Sequence, residues 1–200
     1  MYAHYEALIF DMDGTLVDSG QLHEQAWRAT LAKFGIPLDP VLMRSLAGVP
    51  TIGTLEHLTG HFGCRVDESF ETMNDFKEAY VAVHMHLHVR PTRLASVVHD
   101  YHCKLPMAVG TGAYTGEARK ILALCGLERY FEHVVGADQV KHPKPAPDTF
   151  LRCAELLKAA PSRCLVFEDS ALGLQAAASA GMSGVDVLLA HGIQNDYFLP

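Results

Sequence analysis

One stretch limits what this chain can fold into more than any other. Ala7-Leu8-Ile9-Phe10 runs directly into Asp11-Met12-Asp13-Gly14-Thr15. An apolar run of strand length without polar alternation reads as a strand buried on both faces, the kind found in parallel sheets covered by helices. It ends in two carboxylates one residue apart. The glycine that follows turns the chain off the strand end and permits close approach to a ligand. Acids at the end of a buried strand are costly unless a cation or a proton compensates them, and in open α/β sheets that edge is where ligands bind. The pair has two chemical readings, a divalent-metal site and an aspartate nucleophile with a second acid beside it. A short motif alone does not exclude a solvated Asp-rich turn.

The rest of the chain supplies a sheet for this strand to join. From Ser19 to Val89 four helical stretches follow one another, over 19–34, Pro40–Leu46, Thr51–Leu58 and Asp67–Leu87, broken by Gly35-Ile36-Pro37, Gly48-Val49-Pro50, Gly60 and Gly63. No strand interrupts them, so the block reads as an inserted bundle. After Arg90-Pro91 the character alternates. Strands are expected at Pro106–Gly110, His133–Gly136, Cys164–Phe167 and Gly184–Val187, with helices at Thr92–Tyr101, Thr115–Leu124, Asp148–Lys158 and Ser170–Ala180. Such alternation implies βαβ units and a parallel sheet. The expected fold is α/β, a doubly wound, Rossmann-like core made of residues 1–18 and 90–200 with a helical-bundle cap inserted at 19–89. Asp148 is expected to N-cap its helix, and His191 to Pro200, which lack a pattern, are expected to fray.

Composition narrows the function classes. A formal charge of −7 offers no footprint for nucleic acid or an anionic membrane. The five cysteines are scattered without a Cys-x-x-Cys pair, which favours free thiols in a reducing compartment over disulfides or a zinc site. No secretory signal or membrane-spanning stretch is visible, so a soluble cytoplasmic protein is expected; a monomer is expected as well.

In a parallel sheet the residues that follow each strand share one edge. Here these are Asp11 and Asp13, then Thr111-Gly112, then the loop Lys141–Asp148, then Glu168-Asp169. Singly, each has an ordinary explanation: Thr111 as a helix cap, Lys144 as a loop lysine, Glu168-Asp169 as an acidic first helical turn. Together, the acids would repel one another without a cation. Prolines on both sides of Lys144 also stiffen the loop that carries it. The set is suited to moving a phosphoryl group, with acids for a hard cation and a lysine, hydroxyl and backbone amides for phosphate oxygens.

Asp11-Met12-Asp13-Gly14-Thr15, Val109-Gly110-Thr111-Gly112, Lys144-Pro145-Ala146-Pro147-Asp148 and Val166-Phe167-Glu168-Asp169-Ser170 resemble, in order and spacing, the four motifs of the haloacid dehalogenase-like hydrolases. The insertion after the first motif is similar to the beta-phosphoglucomutase-like branch. Within it the chain looks most like the bacterial sugar phosphatases of the fructose-1-phosphate type. The resemblance implies that Asp11 attacks phosphorus and that Asp13 serves as general acid and then base. It implies Mg²⁺ held by Asp11, the Asp13 backbone carbonyl and Asp169 with help from Glu168, and phosphate held by Thr111, the Gly112 amide and Lys144. The insertion would be a mobile cap closing over the sugar.

The resemblance is not uniform. Ala47 and Thr51 stand where the mutase pattern carries Lys and Arg, which favours hydrolysis over a mutase reaction. Asp13 argues against dehalogenation. His23, Gly48 and Thr51 are the substrate candidates on the cap, while His84, His86 and His88 match no zinc spacing. The expectation is a Mg²⁺-dependent phosphatase acting on a small sugar or polyol phosphate, with fructose 1-phosphate a candidate. The rivals are a hexose-phosphate mutase, a phospho-accepting signalling domain and a non-catalytic relative.

Overall fold

The computed structural model describes residues 2–199. In chain order its strands and α-helices are β1 (Ala7–Phe10), β2 (Val17–Asp18), α1 (Gly20–Lys33), α2 (Pro40–Ser45), α3 (Thr51–Phe62), α4 (Phe70–His88), β3 (Arg90–Pro91), α5 (Ala95–Tyr101), β4 (Met107–Gly110), α6 (Thr115–Leu124), β5 (His133–Val135), α7 (Asp148–Leu157), β6 (Cys164–Glu168), α8 (Ala171–Ser179), β7 (Ser183–Asp186) and α9 (Val187–His191). They form two compact units. One comprises the chain up to Asp18 with Val89–Asn195; the other comprises Ser19–His88 with the chain from Asp196 onward.

The first unit is an α/β fold. Its five-stranded parallel sheet runs β5-β4-β1-β6-β7. All residues of β1, β4 and β6 are buried, as strands covered on both faces require. Ala7, Ile9, Ala108 and Val166 pack with Phe150, Cys153, Ala154 and Ala176 on one face. On alternate positions Phe10 stacks on Phe167 with ring centroids 4.8 Å apart, and Phe131 meets Phe10 edge-on. Register sets the edge: Phe10 pairs with both Val109 and Phe167, so the residues one step beyond, Asp11 just past β1 and Glu168 at the last position of β6, lie side by side.

Local chemistry departs from the sequence expectation in several places. β2 and β3 form a two-stranded antiparallel ribbon where the chain leaves and re-enters this unit, too short to show any periodicity. Thr92 is not helical, because its N–H and hydroxyl both bond back to the first loop, to the carbonyls of Leu16 (2.9 Å) and Thr15 (2.6 Å). Asp148 does not cap α7. It is the first helical residue, and its carboxylate instead accepts from the His142 N–H at 3.2 Å and meets His142 Nδ1 at 3.0 Å. That bond staples the loop carrying Lys144.

The second unit packs α1 to α4 around Trp27, Leu31, Ile36, Met43, Leu55, Leu58 and Met73. Phe198 belongs to this core and is 2% exposed. Its N–H donates to Glu24 Oε2 at 3.0 Å, the Arg28 guanidinium lies 5.2 Å from its ring centroid, and Arg44 Nη1 donates to the Tyr197 carbonyl at 2.6 Å. The assignment of all of 90–200 to the sheet unit is therefore corrected at the tail. His191 closes α9, and residues 196–199 are held by the helical unit because an aromatic side chain fills its core; Pro200 lies outside the described residues. Removing that side chain should cost about 3 kcal/mol, as for other buried Phe→Ala changes. Urea denaturation of Phe198→Ala checks this; a change below about 0.5 kcal/mol, as at a free surface, would mean that the tail frays.

Candidate active site

The β1–Asp11 junction is shaped by Gly14, whose φ of +81° lets the chain turn back so that its N–H meets the Val17 carbonyl at 2.8 Å. A side chain could not be accommodated there, since a Cβ would strike the Asp169 carboxylate and approach Asn195 Nδ2 to 2.9 Å.

Lys144 reaches two of the acids. Its ammonium donates to Asp11 Oδ1 at 2.7 Å and to Glu168 Oε1 at 2.8 Å, and all three residues are buried. The Lys144–Pro145 peptide is cis. The other Glu168 oxygen accepts from the Ser170 N–H (2.7 Å) and hydroxyl (2.8 Å), and Ser170 Oγ accepts from the Gly173 N–H (3.1 Å), capping α8. Asp169, partly buried, accepts from Asn195 Nδ2 at 2.7 Å and lies 3.4 Å from Thr15 Oγ1. Among the described residues no buried side-chain nitrogen or oxygen lacks a partner.

Ligand oxygens of Asp11, Glu168 and Asp169 lie within 4.8 Å of one another. Three carboxylate oxygens that close together suit a hard divalent cation, which takes oxygen ligands. Electrostatics agree. Burial pushes the Asp11 carboxyl well above the usual range, Lys144 opposes that, and the charges of Glu168 and Asp169 add to it. Asp169 is pushed up to about 7, by burial first and then by Glu168. Burial alone would lower Lys144, but the negative charges of Asp11 and Glu168 raise it.

The remaining sequence candidates fall as follows. Thr111 follows β4, is buried and has its hydroxyl accepting from the Ala113 N–H at 3.1 Å; Gly112 beside it is exposed, facing open space. Asp13 lies on the Gly14 turn, bridged to Val17, and its carboxylate is not part of the three-acid cluster. His23 on α1, exposed Gly48, and Thr51 at the start of α3 belong to the helical unit rather than to the sheet edge. Sequence reasoning missed two residues. Asn195 lies outside any motif. Lys77 of α4 is 6% exposed, 3.3 Å from Glu78 and 5.5 Å from the Trp27 ring centroid; its burial phase with Met73, Val81 and Met85 was the available signal. The thiols of Cys125, Cys153 and Cys164 are pushed up by burial, to about 11, 12 and 11, which makes them poor nucleophiles.

A strand-end aspartate facing a buried lysine, on an edge able to take a divalent cation, defines a phosphoryl-transfer type of site. The chain belongs to the family described as haloacid dehalogenase-like hydrolase, whose model matches residues 5–181, and it is a phosphoric monoester hydrolase. It is 44% identical over 191 residues to the fructose-1-phosphate phosphatase YqaB of Escherichia coli (strain K12), covering 94% of this chain and 100% of that protein. It is 32% identical to the phosphorylated carbohydrates phosphatase of Thermotoga maritima, covering 90% and 83%. Among solved structures it is similar to the beta-phosphoglucomutase of Clostridium difficile, with a TM-score of 0.80 at 26% identity over 90% of this chain and 83% of that one. No helix among the described residues is long and apolar enough to cross a membrane.

Gly173 gives a test of how tightly the site is built. In a helix, Gly→Ala normally stabilises, by up to about 1 kcal/mol. Here a Cβ would collide with the buried Glu168 carboxylate, which Lys144 and Ser170 hold in place. Gly173→Ala should therefore destabilise by about 1–3 kcal/mol and lower activity. Thermal melting together with phosphatase assay decides, and a stabilised, fully active variant would show that the Glu168 pocket is loose.

Proposed function

We propose that the protein is a Mg²⁺-dependent sugar phosphatase that hydrolyses a small sugar phosphate, foremost fructose 1-phosphate, through a phospho-aspartyl intermediate on Asp11. The observation that carries this is the buried bridge from Lys144 to Asp11 beside the cluster with Glu168 and Asp169. The substrate class is supported by the whole-length likeness to a fructose-1-phosphate phosphatase and by the second carbohydrate phosphatase.

Asp11, Glu168 and Asp169, with the Asp13 backbone carbonyl, would hold Mg²⁺, which when bound supplies positive charge to the phosphate oxygens. An Asp11 carboxylate oxygen attacks phosphorus, the P–O bond to the sugar breaks, and Asp13 gives its proton to the leaving oxygen. Asp13, now a carboxylate, takes a proton from water as that water attacks the phospho-aspartate, which returns Asp11 and releases phosphate. Lys144 holds Asp11 in line through the first step and balances charge during both. Thr111 and the Gly112 amide contact the phosphate. The helical unit, carrying His23, Gly48 and Thr51, selects the sugar and acts as the cap, and the site is complete in one monomer in the cytoplasm.

A hexose-phosphate mutase is the second reading, favoured by the fold likeness to beta-phosphoglucomutase. Phosphate release from fructose 1-phosphate, glucose 6-phosphate, beta-glucose 1-phosphate and 2-deoxyglucose 6-phosphate separates the two. Metal-dependent release should be abolished by Asp11→Asn and reduced about 10²–10⁴-fold by Asp13→Asn. Isomerised product that needs a bisphosphate and yields no phosphate would instead establish the mutase.

The raised Asp169 adds a pH prediction. Between the ordinary carboxylate range and about 7 the folded, metal-free protein holds a proton on Asp169 that the unfolded chain has lost. Its stability contribution is therefore present at low pH and disappears as pH rises through 7. A divalent cation must displace that proton below 7 but not above. The gain in melting temperature from Mg²⁺ over chelator should thus be larger at about pH 8 than at about pH 6. Equal gains would show that Asp169 is already ionised without metal.

A further inference from the structure

The motifs end at Ser170, yet a residue far beyond them touches the cluster. Asn195 Nδ2 donates to Asp169 Oδ2 at 2.7 Å. The ionised carboxylate only accepts, so in that state it is the amide NH₂ that faces Asp169. Thr15 Oγ1 lies 3.4 Å from Asp169 Oδ1, a long and correspondingly weak contact. The carboxylate is thus fixed chiefly from the Asn195 side. Packing around it is close, for a Cβ at Gly14 would meet both Asp169 and Asn195.

Asn195 is itself seated. Ahead of it, Ile193 is buried at 7% exposure. A residue close to a buried anchor can hold its partner in one orientation at a smaller entropy cost. An amide is also the suitable donor. A lysine or arginine here would neutralise Asp169 and compete with a bound cation, whereas a neutral N–H orients one oxygen and leaves the charge available.

We propose that Asn195 is a positioning residue that orients the Asp169 carboxylate and thereby sets the affinity of the site for its divalent cation. This rests on the reading of Asp169 as a metal ligand. Groups that orient metal ligands typically change affinity or activity about 10–100-fold when removed.

The test is calorimetric titration of Mg²⁺ into the full-length protein: wild type, Asp169→Asn, Asn195→Leu and Asn195→Ala. The leucine keeps the volume without the donor; the alanine guards against a packing defect peculiar to leucine. Both Asn195 variants should bind Mg²⁺ about tenfold more weakly or worse, while still melting cooperatively without metal and with kcat largely recovered at saturating Mg²⁺. Wild-type affinity in both variants, with binding lost in Asp169→Asn, overturns the role of Asn195 alone. No Mg²⁺ uptake by the wild type, or undiminished uptake by Asp169→Asn, overturns the metal-ligand reading and this inference with it.

Discussion

The ammonium of Lys144, held between Asp11 and Glu168, is the interaction on which the site depends. Three clustered carboxylates and one ammonium leave two negative charges when all are ionised, −3 + 1 = −2. Among the described residues no second Lys or Arg pairs with these acids. Instead the deficit appears as carboxyls pushed upward, Asp11 strongly and Asp169 to about 7. A site two charges short, with hard oxygen donors, is matched by one divalent cation. The same arithmetic makes Lys144 costly to lose. Removing one partner of a buried ion pair leaves uncompensated charge, typically at a cost of about 3–5 kcal/mol.

Such a cluster persists only because rigid elements impose it. Asp11 and Glu168 leave adjacent strands whose register is fixed by cores on both faces, so their separation is not adjustable. Glu168 is held further by the cap of α8, through Ser170, and by the absence of a side chain at Gly173. Lys144 arrives on a loop, the least constrained kind of segment, and there the chain adds constraints: flanking prolines and the staple from Asp148 to His142. These constraints limit how far the ammonium can swing while the charges around it change.

This explains what could be read from the sequence. The parallel sheet was legible because strands buried on both faces are continuous apolar runs, and the acids were legible because they follow those runs directly. The same logic put Thr111 and the loop of Lys144 just after strands of that sheet. What escaped lacks a local signature. The β2–β3 ribbon is two residues per strand. Asp148 looks like a cap in sequence, and only the fold shows His142 within its reach. Phe198 stands in a patternless tail, and its partner Glu24 is 174 positions away. Asn195 bonds Asp169 across 26 positions, with no motif linking them. Contacts of that separation leave no periodicity to detect.

Charge also bears on the choice between hydrolysis and a mutase reaction, because a bisphosphate intermediate requires cations for a second phosphate. Within the helical unit the basic side chains are largely engaged. Arg28 pairs with Glu24, Lys33 lies 3.9 Å from the Phe76 ring centroid, Arg44 bonds the Tyr197 carbonyl and Lys77 meets Glu78. Arg65, beyond α3, is exposed. The loop from Leu46 to Thr51 carries no cation at all. A second phosphate there would have to draw its cations from Arg28 or Lys77, which already pair with Glu24 and Glu78. A substrate with one phosphate makes no such demand, since Lys144 and a divalent cation at the sheet edge would meet it. The distribution of positive charge between the two units thus weighs toward hydrolysis on its own, independently of which sugar is carried.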